Sequence, residues 1–285
     1  MTLLDFYNKN EMKNKNIIIT GGTRGLGLSH AFHLSNKGYN LALVDISRKA
    51  CQVYGEIKNV DNLLLKLSSN GTKNKFYECD LTKFTSTKNV FRKIIKDFSE
   101  IHACVLSAGG DVVGDDKNAA GGKAHINNFE INETDHDAIF NRNYKTTLNS
   151  IKSIIPHFKV NEYGKIVTTS SISANYGVIQ ETAYSIAKAA VVQLTRSVAA
   201  EMRPFGVNVN CIAPGATLTG RFRATLQNRS KEDKEKIMSK GKSILTRPAE
   251  PEYISSVVNF LLSDESKYIS GQVIRIDGGQ LTSPI

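Results

Sequence analysis

Short apolar runs alternate along this chain with stretches of helical period. Residues 16–20 (NIIIT) are β-branched and apolar, and a glycine-rich run, 21–27, follows. Beyond it Leu28, Ala31, Phe32 and Ser35 fall on one face of a helix that Gly38 ends. Residues 40–44, 75–79, 105–106 and 165–169 repeat the apolar motif, each separated from the next by a longer stretch. Runs this short, with little polar alternation, predict strands buried on both faces. Strands alternating with helices predict an α/β fold, a doubly wound parallel sheet with helices on both faces. No Pro/Ser-rich linker interrupts the order, so 1–285 reads as one domain, with 1–12 as an N-terminal extension and 110–135 as a long loop.

The turn at 21–27 lies between a strand and a helix, where Gly21, Gly25 and Gly27 let the backbone approach a pyrophosphate. The free amides and positive dipole of the helix N-terminus favour that anion. Asp45 ends the next strand 18 residues beyond Gly27, where a carboxylate accepts hydrogen bonds from adenosine ribose hydroxyls and repels a 2′-phosphate. The implied cofactor is NAD. Arg24 and Arg48 would suit NADP, but burying a carboxylate beside a phosphate costs more than leaving a basic side chain solvated.

Tyr184 and Lys188 stand four apart in the helical stretch 183–188, so phenol and ammonium share one helix face. A phenol with an ordinary pKa of ~10 is a poor acid or base near neutrality. A fixed cation lowers that value. Reaching pH 7 takes ~3 units, roughly 4 kcal/mol of differential stabilisation. A positively charged nicotinamide ring would add to the effect of Lys188.

From residue 13 to 279 the sequence resembles the short-chain dehydrogenase/reductase family. Thr20, Gly21, Gly25 and Gly27 match its glycine motif, and Asp80-Leu81 its adenine-contacting pair. Ser171 stands 13 residues before Tyr184, Asn143 falls in the central helix, and 208–215 reproduces the sixth strand with its Pro214-Gly215 turn and Thr219 beyond. Residues 270–279 resemble the closing strand. One departure is Ser107-Ala108-Gly109, where the family has Asn-Ala-Gly; it bears on bracing of the central strands.

The resemblance implies a Rossmann-type sheet of about seven strands and an NAD(P)-dependent oxidoreductase acting on a secondary alcohol or ketone. It casts Tyr184 as general acid/base, Lys188 as the residue that lowers its pKa and holds the ribose, and Ser171 as hydrogen-bond donor to the substrate oxygen. Asn143 is cast as holding a water that links Lys188 to solvent. Cofactor contacts are implied at Gly21, Thr23, Arg24, Gly25, Leu26, Gly27, Asp45, Asp80, Leu81, Ser107, Ala108, Gly109, Tyr184, Lys188, Pro214, Gly215, Thr217 and Thr219. It further implies a substrate lid over 216–246 and a homotetramer or homodimer, with alanines 187, 189, 190, 199 and 200 permitting close helix packing. The alternative is a non-catalytic nicotinamide-dinucleotide sensor on the same fold, for which the Ser171, Tyr184 and Lys188 set would be superfluous.

The net charge of +10 raises nucleic acid as a partner, but the lysines are interleaved with acids, as in 231–236, and lack stacking aromatics. Neither nucleic acid nor membrane is expected as a partner. An anionic substrate is compatible with the charge, with Lys117, Lys123 and His125 in the long loop and Arg221, Arg223 and Arg229 in the lid as candidates. No run reaches the ~20 apolar residues of a membrane span, and no signal core is evident, so the cytoplasm is the expected address. Cys51, Cys79, Cys104 and Cys211 have no CxxC spacing and read as packed thiols. His30 and His33 read as helix-face residues, and no metal site is expected.

Overall fold

A computed structural model describes residues 14–69, 71–111, 127–227, 230–238 and 243–282. The extension 1–12, the loop candidates Lys117, Lys123 and His125, and Arg229 lie outside the described residues.

Seven parallel strands form one sheet in the order β3-β2-β1-β4-β5-β6-β7. They are β1 (Asn16–Thr20), β2 (Asn40–Asp45), β3 (Asn74–Glu78), β4 (Ala103–Leu106), β5 (Gly164–Thr169), β6 (Val207–Pro214) and β7 (Val273–Ile276). The order reverses between β1 and β4, whose register sets Thr20 beside Leu106. Ligands of such sheets bind in the crevice beyond the strand ends at this switch point.

Side chains alternate across the sheet as the pleat requires. Ile17 and Ile19 pack with helices α1 (Gly25–Asn36), α2 (Val60–Ser68) and α9 (Pro251–Leu262) through Leu34, Leu63 and Val258. Ile18, between them, faces α3 (Phe84–Phe98), α5 (Thr146–Asn161) and α6 (Thr182–Met202) through Phe91, Ile154 and Val198. Both faces are therefore covered, which accounts for strands without polar alternation. All four cysteines are buried free thiols, and His30 is buried with Nδ1 2.8 Å from Ser255 Oγ.

The central helix is not continuous. α4 (Glu133–Phe140) passes through a π-helical turn, Asn141–Lys145, before α5 begins. The first helix opens inside the glycine run, three residues earlier than Leu28, because Gly25 takes φ +56 and turns the chain directly into α1. The expected lid contains α7 (Gly220–Gln227), α8 (Lys231–Ile237) and a single turn at Ile244–Thr246. Among the described residues, no helix is long and apolar enough to cross a membrane.

Candidate active site

A cavity of about 1030 Å³ opens beyond the ends of β1, β4, β5 and β6. Every expected cofactor or catalytic residue except Thr23 and Asn143 lines it. Both exceptions act from behind the wall.

At one end the glycine turn is built for close approach. A Cβ on Gly27 would lie 2.1 Å from the Gly21 carbonyl oxygen, so only glycine lets α1 start against the turn. Gly21, at φ +65, passes so near Ala108 that a Cβ would meet its Cα at 2.9 Å. Helix α1 has no side-chain cap at Arg24 and no acid in its first turn; the Gly25 amide donates to the Glu56 carboxylate at 3.0 Å, and the positive end of the helix dipole faces the cavity. Asp45 accepts the Thr23 hydroxyl at 2.6 Å and the Ile46 amide at 2.8 Å, which fixes the carboxylate at the cavity edge. Arg48 points elsewhere: it pairs with Asp61 at 2.6 Å and is not part of the cavity lining. Arg24 does line the cavity, 5.9 Å from the Tyr54 ring centre. Asp80 accepts the Thr82 amide and hydroxyl at 3.0 and 2.6 Å, holding Leu81 against the cavity. These features fit a dinucleotide.

At the other end stand Ser171, Tyr184 and Lys188. Ser171 follows β5 in extended conformation, and its hydroxyl oxygen accepts from the Ser173 amide at 3.2 Å and the Ser173 hydroxyl at 2.9 Å. With those lone pairs engaged, its own proton is directed to another acceptor, and Ser171 favours the ionised form of the Tyr184 phenol. Lys188 is 4% exposed; Nζ donates to the Thr169 carbonyl at 2.8 Å and lies 5.6 Å from the Tyr184 ring centre. One helix face thus carries both groups into one cavity. Ser107, in the position of the family's asparagine, sets its hydroxyl 3.3 Å from that of Thr169 and so bridges the ends of β4 and β5.

Asn143 sits in the π turn and is fully buried. Its Oδ1 accepts from the Gly110 amide at 2.8 Å, and Nδ2 donates to the Gly110 and Ile139 carbonyls at 3.0 and 2.8 Å. One amide proton and the amide oxygen therefore brace the turn after β4, and the other proton caps a carbonyl one turn back in α4. A π turn inserts one extra residue per turn, and such insertions recur at functional sites.

The electrostatics differ from the sequence expectation. Tyr184 keeps part of its surface open to the cavity, yet burial pushes its phenol up to about 12 rather than down toward neutrality. Arg221 pulls against that shift, Asp111 and Glu181 add to it, and the Ser171 hydroxyl opposes it. Lys188 itself is lowered to about 8 by burial, with Cys211 raising it and Arg221 lowering it further. Of the arginines expected to meet an anion, Arg221 lines the cavity, whereas Arg223 donates to Leu218 O at 3.3 Å. Asp111, Arg142, Glu181 and Ser173 also line the cavity and were not anticipated, because no motif spacing ties them to it.

A family model described as "Enoyl-(Acyl carrier protein) reductase" matches residues 21–280. The chain is 29% identical over 277 residues to a cyclohexanol dehydrogenase from Rhodococcus sp., covering 94% of this chain and 96% of that one. It is 31% identical over 264 residues to the 3-oxoacyl-[acyl-carrier-protein] reductase FabG of Buchnera aphidicola, covering 92% and 95%. Among solved structures, NAD+-bound xylitol dehydrogenase superposes with a TM-score of 0.80 at 22% identity, covering 94% of this chain and 100% of that one. ElxO with NADP bound gives 0.79 at 24%, covering 95% and 100%, and these two likenesses speak for the fold. With the glycine turn, the Ser171, Tyr184 and Lys188 set and a family match across nearly the whole length, the chain belongs to the short-chain dehydrogenase/reductase family.

Proposed function

We propose that this protein is a nicotinamide-dinucleotide-dependent oxidoreductase interconverting a secondary alcohol and its ketone. The observation that carries the reading is that the anion-binding glycine turn and the Ser171, Tyr184 and Lys188 set line one continuous cavity. A pure sensor has no use for the second half of it. The dinucleotide contributes a hydride donor or acceptor at its nicotinamide ring.

The protein's own groups handle the proton. In the oxidising direction the substrate hydroxyl gives its proton to the Tyr184 phenolate oxygen as the carbon–hydrogen bond breaks, and in reduction the phenol returns it to the carbonyl oxygen. Ser171 hydrogen-bonds the substrate oxygen where negative charge develops. Lys188, with a pKa near 8, exchanges protons at working pH and keeps positive charge beside the ring. Asn143 and Ser173 hold the surrounding backbone and the Ser171 hydroxyl in place.

NAD is the preferred cofactor in this reading. The Asp45 carboxylate stands at the adenosine end, and Arg48 is committed to Asp61 rather than to the cavity. The outer face of α6 supports a homotetramer or homodimer: Ile186, Ala189 and Ala200 are exposed there, while Ala187 and Ala199 pack into the core. Turnover of a secondary-alcohol panel with NAD, followed at 340 nm, tests the function. Reduction of NAD by a member of the panel supports the reading; cofactor binding without turnover across alcohols and ketones rejects it in favour of a sensor.

A further inference from the structure

Helix α6 carries Tyr184 and Lys188, but its own lead-in supplies no cap. Glu181, at the N-cap position, makes no side-chain hydrogen bond to the first turn. Gln180, just before it, takes φ +62, a left-handed conformation that costs a non-glycine residue energy. The opening amides go instead to Asn127, in the connection between β4 and α4. The Asn127 carbonyl accepts from the Thr182 amide at 2.9 Å, and Oδ1 accepts from the Ala183 amide at 3.3 Å, across 56 residues of sequence. The Asn127 amide in turn donates to Gln180 Oε1 at 3.0 Å. A cap normally comes from the residue at the helix start, whereas this one comes from another segment of the chain.

The remaining polar group of Asn127 reaches the opposite wall of the cavity. Nδ2 donates to Asp111 Oδ1 at 2.8 Å, with Asn127 fully buried and Asp111 4% exposed. Asp111 lines the cavity directly after Ser107, Ala108, Gly109 and Gly110, which line it beyond β4. That turn is itself anchored: Asn143 holds both backbone groups of Gly110, and Arg221 Nη2 donates to the Asp111 carbonyl. Asn127 thus joins the head of α6 to the end of the strand at the switch point. An amide side chain can accept from Ala183 and donate to Asp111 at once, each through its own atom. A carboxylate in its place would set two buried negative charges against each other. One turn along α6, Lys188 is held by the end of β5, through Nζ to the Thr169 carbonyl and through its own carbonyl, which accepts the Ser170 hydroxyl at 2.9 Å. The first turn, which holds Tyr184, is anchored through Asn127.

Resting on the reading of Tyr184 as the acid/base, we propose that Asn127 is a positioning residue for the reaction. It caps the helix of Tyr184 from outside and, through Asp111, sets the place of the phenol relative to the end of β4. The glycine turn and Asp45 stand at the other end of the cavity and take no part in this linkage. Its loss therefore acts on the geometry of the chemical step and leaves dinucleotide affinity in place. A displacement of about 1 Å at a reacting group costs on the order of 100-fold in rate.

The test uses the full-length protein. Asn127→Asp keeps an acceptor for Ala183 and loses the donor to Asp111. With the best substrate of the alcohol panel its kcat is expected to fall about 100-fold, while NAD affinity by calorimetric titration stays within about threefold of wild type. The double variant Asn127→Asp with Asp111→Asn exchanges donor and acceptor across the same bond and should recover kcat to within about tenfold of wild type. In Asn127→Ala, exchange of the Ala183 amide with solvent deuterium should quicken about fivefold while the amides of β1 keep their wild-type rates. Should Asn127→Asp fail to fold, Asn127→Ala carries the kinetic comparison with the same expected loss. Wild-type kcat in these single variants overturns the inference. So does a double variant no better than Asn127→Asp, or a loss of NAD affinity equal to the loss of kcat, which would mark general disruption of the fold. The underlying reading fails separately, by turnover surviving in Tyr184→Phe, and the exchange measurement reports on the cap whether or not the protein turns over.

Discussion

The Lys188 ammonium lies 5.6 Å from the centre of the Tyr184 ring and is hydrogen-bonded to the Thr169 carbonyl at 2.8 Å. That bond fixes the cation beneath the cavity floor, while burial raises the phenol. In the proposed reaction, activation of Tyr184 is a sum over several charges, that of a nicotinamide ring among them, rather than the work of one neighbour.

Lys188→Ala removes the buried cation and its bond to β5. Loss of at least ~100-fold in kcat/KM is expected, the lower range of a general acid/base contribution. Lys188→Arg should not rescue it, because a Cβ on Gly109 would already be 3.3 Å from Lys188 Nζ and a guanidinium needs more room. Steady-state kinetics with the best substrate of the alcohol panel checks both variants.

Gly27→Ala forces a methyl against the Gly21 carbonyl oxygen at 2.1 Å, a contact with backbone that only a shift of the turn can relieve. We expect a loss of about 1–3 kcal/mol in stability together with loss of cofactor binding. Gly177→Ala, with nothing within 4 Å of the new Cβ, is the control and should melt with the wild type. Thermal denaturation with and without NADH separates the two.

The strands were legible because burial on both faces leaves an unbroken apolar run, and the Tyr184 and Lys188 pair because helical spacing alone puts positions four apart on one face. Glycine spacing foretold the close approaches of Gly21 and Gly27. The π turn around Asn143 carried no signal of its own, since its residues would sit equally well in an α-helix. Asn127 was beyond reach for a different reason: its role depends on contacts between distant segments that only the folded sheet creates. The expected fall in the Tyr184 pKa counted the charges of Lys188 and a bound nicotinamide ring, whereas in the protein alone burial is the largest effect and raises the phenol.

Buried His30 makes stability depend on pH. Burial lowers its pKa from 6.5 to about 3, so below pH 6.5 the unfolded chain binds a proton that the folded one refuses. Stability is complete above about 6.5 and falls as the pH drops toward 3, with a slope from this group approaching about 1.4 kcal/mol per pH unit. Urea denaturation at several pH values measures it; His30→Asn should flatten the slope, and an unchanged slope would remove His30 as its source.

Asp45 predicts the choice of cofactor. NADH should bind at least about tenfold more tightly than NADPH, a difference of ~1.4 kcal/mol, and Asp45→Ser should narrow or reverse the ratio. Calorimetric titration with each dinucleotide gives the answer; equal affinities in the wild type would contradict the role assigned to this carboxylate.

The most direct measurement is single-turnover transfer of deuterium from C4-deuterated NADH to a ketone, in wild type and in Tyr184→Phe. The account predicts label on the carbinol carbon in the wild type and, at the same cofactor occupancy, a rate at least ~1000-fold lower in the variant. Equal transfer rates in the two proteins would contradict it.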